Sequence, residues 1–232
     1  MKMLQCGVVV SVLAIAGCAG QPPVPPPEYP GLEQSAQVVI RDLRPAYEGE
    51  KEIFSLLVTS DAYAIYRMAD DATKPVATRL LAHRAFETFP ELASQPEIVV
   101  RHFVTYANLQ SQLRKSSLVA GLTGPIGAAL LTPTEFPAGE VKTTRIDSAV
   151  FERSAGDEEY TRAFFTEQEN PEKSPVNVVY IDTELLGQRI ASRCLVPPVA
   201  SKPYMYLIEA IDMCIVNHLA LYRAKAANTA AQ

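Results

Sequence analysis

Residues 75–107 read PVATRLLAHRAFETFPELASQPEIVVRHFVTYA, and the change of period inside this stretch decides the fold. In the first half Ala77, Leu81, Ala85 and Phe89 recur every four residues with Val76 and Leu80 beside them, which is the spacing of one helical face. Asp70, Asp71 and Thr73 ahead of Pro75 are helix-start signals, so an amphipathic helix is predicted from Pro75 to about Ala93. In the second half the period drops to two. Ile98, Val100, Val104 and Tyr106 share one face of a strand from Glu97 to Ala107, and Val99, Arg101, Phe103 and Thr105 the other. The apolar stripe of the helix needs a sheet to cover, and this strand belongs to it.

Working outward toward the N-terminus, Val38, Val39, Ile40 and Leu43 form a short strand ending at Pro45. Ile53 to Val58 and Ala62 to Met68 flank Thr59-Ser60-Asp61 and read as a hairpin. Toward the C-terminus, Val141 to Phe151 and Tyr160 to Thr166 read as a second hairpin around the turn-rich Ser154-Ala155-Gly156-Asp157. Val176 to Ile181 is a strand, and the fourfold spacing of Leu186, Ile190 and Cys194 predicts a helix over Thr183 to Cys194, stopped by Pro197 and Pro198. After Pro203, Tyr204, Ile208, Ile211, Ile215, His218, Leu219 and Tyr222 lie on one face of a last helix, whose alanine-rich tail after Arg223 is expected to fray. Helices interspersed with hairpins predict an α+β fold, a mostly antiparallel sheet covered on one face by helices, with a long C-terminal helix.

The chain has 232 residues, 48% hydrophobic and 20% charged with 18 prolines, the make-up of one globular domain plus a special segment. A formal charge of −5 without a Lys/Arg cluster argues against a nucleic-acid partner. Met1 to Gly20 has the three-part pattern of a secretory signal: a positive charge at Lys2, an apolar stretch from Val8 to Ala16, and small residues at its end. Its apolar run from Cys6 to Gly20 covers 15 residues, short of the roughly 20 that a spanning helix needs. Within it, Ile15-Ala16-Gly17-Cys18 resembles the bacterial lipobox, whose invariant cysteine is acylated after the leader is cut. The resemblance implies lipidation at Cys18, a membrane anchor through the N-terminal lipid and, with Ala19 next, residence in the outer membrane facing the periplasm. Gln21 to Gly31, QPPVPPPEYPG, excludes helix and central strand and reads as a polyproline spacer of roughly 30 Å. The predicted division is therefore a signal peptide over 1–17, a lipidated cysteine and proline-rich tether over 18–36, one periplasmic α+β domain over 37–225 and a flexible tail over 226–232.

With Cys6 in the leader and Cys18 acylated, Cys194 and Cys214 remain as one pair in an oxidising compartment. A bridge between them would close a loop of about twenty residues and stabilise the fold by roughly 3 kcal/mol. The alternative is two buried thiols that never meet. Between Lys115 and Glu135 lie nineteen uncharged residues, SSLVAGLTGPIGAALLTPT. Pro125 and three glycines interrupt them, which argues against a membrane span. They read either as a buried helix-turn or as a contact surface carried by Leu118, Leu122, Ile126 and Leu130. His83, His102 and His218 show no ligand spacing, and no hydrolase, zinc, P-loop or dinucleotide motif occurs, so no catalytic residue, cofactor or metal is expected. Helix capping accounts for Asp70 and Asp71, and a solvated hairpin tip for Asp157, Glu158 and Glu159.

Asp42-Leu43-Arg44, the strand pair up to Met68 and the helix from Pro75 resemble the YajG type of outer-membrane lipoprotein, over the first half of the chain after the leader. The Gly-Pro segment departs from that pattern. Auxiliary lipoproteins of envelope transport systems share a tether, a strand pair and a helix starting near a proline. The resemblance implies a small periplasmic α+β domain without catalytic residues to carry over. The expectation is a binding or scaffold lipoprotein that contacts an envelope protein. An accessory of a transport system and a periplasmic inhibitor or immunity-like protein stand as alternatives.

Overall fold

A computed structural model of the chain describes residues 29–56, 63–108, 141–153, 156–166, 168–169, 176–196 and 206–230. Among them seven strands form one sheet: β1 (Val39–Asp42), β2 (Glu52–Leu56), β3 (Tyr63–Arg67), β4 (Glu97–Asn108), β5 (Lys142–Ile146), β6 (Val176–Leu185) and β7 (Gln188–Val196). Their order is β2-β3-β4-β6-β7-β5, and β1 also pairs with β4, in parallel, where every other pairing is antiparallel. Among the described residues three α-helices join them, α1 (Ala77–Thr88), α2 (Ser148–Arg153) and α3 (Tyr206–Ala230). The fold is α+β, a mostly antiparallel sheet with a long C-terminal helix.

One face of the sheet packs on α1 and α3, where Leu80, Leu81 and Ala85 meet Ile211, Ile215 and Leu219 over Ile98, Val100, Phe103 and Ile181. The other face is also covered, so the expectation of helices on a single face is corrected. Phe151 of α2 and Ala163, in the 3-10 stretch Gly156–Ala163, enclose Val104, Tyr106, Val178, Tyr180 and Leu195. Burial on both faces explains why nearly every residue of β6 is buried, with an unbroken apolar run over 178–181 at its centre and the polar Asn177, Asp182 and Thr183 buried beside it.

Four local readings are corrected. First, β4 does not keep one phase. Val100 pairs with Thr183 and His102 with Asp182, so Arg101 is an extra residue in a β-bulge. Beyond it Phe103 joins Ile98 and Val100 on the helix side, and Val104 and Tyr106 turn to the opposite face. Second, α1 ends at Thr88, before the expected Ala93. Pro90 holds Phe89 extended at φ −125°, and Pro90–Ala93 continues only as 3-10 helix.

Third, Thr183 to Cys194 is no helix but the meeting of β6 and β7 at Leu186-Gly187, both with positive φ. A spacing of four is even, so Ile190 and Cys194 share a strand face as readily as a helical one. Fourth, the second hairpin does not form. β5 pairs with β7 instead, Asp147 Oδ1 accepts the Ala149 N–H at 2.9 Å, and the chain turns into α2. The boundaries also move: Tyr29 packs on the core and Ser35 is fully buried, so the folded body begins before Gln37, while α3 runs to Ala230 through most of the tail expected to fray.

Candidate functional site: the polar seam beside β4

Along one edge of β4, β1 pairs with Glu97 to Val100 and β3 with Tyr106 to Asn108. Between these pairings the bulged backbone lies opposite a gap between the two strands, and its polar groups need partners. Side chains supply them. Glu48, in the 3-10 turn Ala46–Gly49, accepts the Phe103 N–H through Oε2 at 3.1 Å and meets His102 Nδ1 through Oε1 at 2.7 Å. Arg44 donates to the Phe103 carbonyl at 3.2 Å, to both oxygens of Asp70 at 3.0 and 2.8 Å, and to Asp42.

Asp42-Leu43-Arg44 is thus a plug that stands in for a missing stretch of strand. Burial works to lower the Arg44 pKa, but the hydrogen bonds and charges of Asp70 and Asp42 outweigh it and raise it. For Asp42, burial acts to raise the pKa and the bonds from Arg44 bring it below the usual value. Asp70 does not cap α1, whose N-cap Val76 has no side-chain cap; it belongs to Arg44 instead.

Deeper on the same sheet face lies a second network. The Arg67 guanidinium grips both oxygens of Glu159 at 2.5 and 2.6 Å and donates to the Glu50 carbonyl at 2.8 Å. It lies 5.1 Å from the Tyr47 ring centre. Tyr106 donates to Glu159 at 2.7 Å, and Arg162 lies 3.7 Å from the centre of the Phe151 ring while donating to the Phe151 carbonyl. Burial pushes the Tyr106 hydroxyl well above its ordinary pKa. Glu159, expected at a solvated tip, is 8% exposed because Arg67 and Tyr106 compensate its desolvation. A buried network satisfied in this way fixes one packing arrangement of the covering segment.

The three histidines do not converge. His218 is enclosed between Thr183 Oγ1 at 2.7 Å and Ser192 Oγ at 2.8 Å, and complete burial pushes its pKa down to about 3. His83 meets Ser35 Oγ at 3.1 Å, and burial lowers its pKa against the pull of Glu87. His102 belongs to Glu48 and packs edge-on to Phe151. Among the described residues no cluster of His, Cys, Asp and Glu could hold a metal ion. No described helix is long and apolar enough to cross a membrane.

Cys194 of β7 and Cys214 of α3 are joined by a disulfide, with 5.7 Å between their Cα atoms. The bridge ties the long helix to the sheet. Cys18 and the apolar residues Leu118, Leu122, Ile126 and Leu130 lie outside the described residues. Glu48, Arg67 and Arg162 escape sequence reasoning, and Glu159 is legible there only as part of an acidic run, because the partners of all four are set by the fold and not by local sequence. Only Asp42-Leu43-Arg44 carries a local signal. No protein-family model matches the chain, and neither curated proteins nor solved structures give a match.

Proposed function

We propose that this chain is a lipid-anchored lipoprotein of the outer membrane, facing the periplasm, whose α+β body binds or scaffolds another protein of the envelope. The observation that carries the reading is the Cys194–Cys214 bridge, since structural disulfides persist in oxidising compartments such as the periplasm. This bridge is independent of the leader and agrees with it. Cys18 in Ile15-Ala16-Gly17-Cys18 supplies the anchor, and more than one acyl chain gives stable membrane residence. The prolines from Pro22 to Pro30 hold the body away from the lipid surface.

The test is fractionation of envelopes carrying the full chain or its Cys18→Ser variant. The full chain is expected to sediment with outer membranes, and the leader-cleaved variant to move to the soluble periplasmic fraction. Retention of that cleaved variant in membranes would overturn the anchor. Crosslinking in intact envelopes is expected to recover one reproducible protein partner with the tagged chain. Recovery of nothing above an untagged control would overturn the scaffold role.

A further inference from the structure

Residues 29–37 lie against α1 as a strap that ends where Val38 enters the core and the Val39 N–H bonds to the Pro96 carbonyl. The strap buries little apolar surface. Its one fully enclosed side chain is Ser35, while Glu33, Gln34, Ala36 and Gln37 are exposed. Its hydrogen bonds to α1 converge on two side chains. Arg79 donates to the Leu32 carbonyl and to Ser35 Oγ, which lies 3.1 Å from His83 Nδ1. Gly31 approaches the same ring, since a β-carbon built there would stand 3.7 Å from His83 Cε1. The closed strap leaves His83 only 2% exposed. A segment held by so few apolar contacts opens at a small fraction of the global unfolding free energy.

The charges around His83 decide how this closure responds to a proton. On its own helix stand Arg79, Arg84 and Glu87, and α3 adds Asp212. The strap brings the Ser35 hydroxyl and, beside Arg84, the Tyr29 phenol, whose pKa of about 12 keeps it neutral; the core beneath α1 is apolar. Both anions are already held by Arg84, Asp212 at 2.7 Å and Glu87 at 2.8 Å, and the Glu87 carboxylate is 3.6 Å from His83 Nε2. Arg79 has no carboxylate partner among the described residues, and its buried Nη1 has no hydrogen-bond partner. An imidazolium under the strap would therefore be a dehydrated cation sharing Ser35 Oγ with a second cation that lacks an anion.

We propose that residues 29–37 form a pH-operated latch, closed on α1 while His83 is neutral and released as far as Val38 when His83 is protonated. Burial holds the His83 pKa below its ordinary value of 6.5 while the strap is closed, and release returns water to the ring. Closure is thus fully favoured above the ordinary value and weakens as the pH falls beneath it. The latch does not depend on the lipid anchor. With that anchor, the nine freed residues add up to roughly 30 Å to the reach of the body from the membrane.

Hydrogen exchange read by mass spectrometry on the full chain in detergent tests it, with intrinsic rates taken from the unstructured peptide of the same sequence. The amides of Gln34, Ser35 and Ala36 are bonded within the strap, and a freed turn this short gives no lasting protection. Their protection should fall at least about threefold between about pH 7 and about pH 5, while β4 and β6 keep theirs. His83→Gln should abolish this dependence. Glu87→Gln removes the carboxylate nearest His83 Nε2 from an exposed position that does not touch the strap. It should leave protection at about pH 7 unchanged and deepen the loss at about pH 5 by at least about twofold, because the closed imidazolium is then less compensated. Protection of the strap independent of pH would overturn the proposal, as would the same loss in a folded His83→Gln chain or an equal loss in β4 and β6. If His83→Gln does not fold, Glu87→Gln decides alone, and a loss no deeper than the parent's would overturn the latch.

Discussion

Both ring nitrogens of His218 meet hydroxyl groups in a site closed to water, and neither is paired with a carboxylate among the described residues. The neutral ring is satisfied there, whereas the charged ring would lose its hydration. The folded pKa near 3 lies below the ordinary value of 6.5, so between these values the unfolded chain takes up a proton that the folded chain does not. The contribution is fully present above the unfolded pKa, falls as the pH drops below it and levels off beneath the folded pKa. Its size is at most about 5 kcal/mol. His218→Gln keeps a polar side chain between the same hydroxyls and removes this proton uptake. Urea unfolding at about pH 7 and about pH 4.5 should show a smaller loss of stability in the variant than in the parent. Equal losses would place the proton uptake elsewhere. The burial of His218 is legible from its place on the apolar face of the last helix. Its partners Thr183 and Ser192 are not, because they fall in a segment whose spacing fits two periods. The seam shows the same division: Arg44 is marked by Asp42 two residues away, while Glu48 is marked by nothing, since its partner exists only once β4 has bulged.

Among the elements, those whose period is unambiguous are legible. α1, β4 and α3 form where the pattern puts an element, because long periodic segments admit one reading, but α1 stops at Thr88 and the buried stripe of β4 changes face at its bulge. The β6–β7 hairpin is missed for a physical reason: its first strand is buried on both faces, and its turn carries Leu186 where asparagine is usual. Gly187 is the residue that makes this turn. Its φ is +72°, and a β-carbon built there would meet nothing within 4 Å, so the cost of a side chain is purely conformational. Gly187→Ala should therefore destabilise the fold by about 1 kcal/mol in chemical unfolding, without altering the contacts of its neighbours. A neutral result would mean that the hairpin relaxes its turn freely. The bulge at Arg101 has no counterpart in composition or period. It becomes visible only when β4 is laid against β6, where one strand has a residue more than the other.

Over the whole molecule, residues 29–38 behave as part of the body. Tyr29 packs on the core beside Arg84, whose guanidinium lies 5.7 Å from its ring centre. Burial, aided by Asp212, pushes the Tyr29 hydroxyl up to about 12. Gly31 turns at φ +79°, and Ser35 then enters a closed site. There it donates to the Leu32 carbonyl at 2.8 Å, accepts from Arg79 at 2.8 Å and meets His83. Residues 29–36 thus pack on the side of α1 and α3, the same side that the Cys194–Cys214 bridge ties to the sheet. Composition cannot place this boundary, since prolines and glycine run on through Gly31 and only the fold shows where they meet a surface. A chain shortened to begin at Gln37 should melt roughly 5 °C below one shortened to begin at Tyr29, the effect of losing about 2 kcal/mol of packing and hydrogen bonds. Its His83 resonance should also titrate nearer the ordinary value, because removal of the covering segment returns water to the ring. Equal melting temperatures with an unchanged His83 titration would mean that residues 29–36 belong to the spacer and the domain begins at β1.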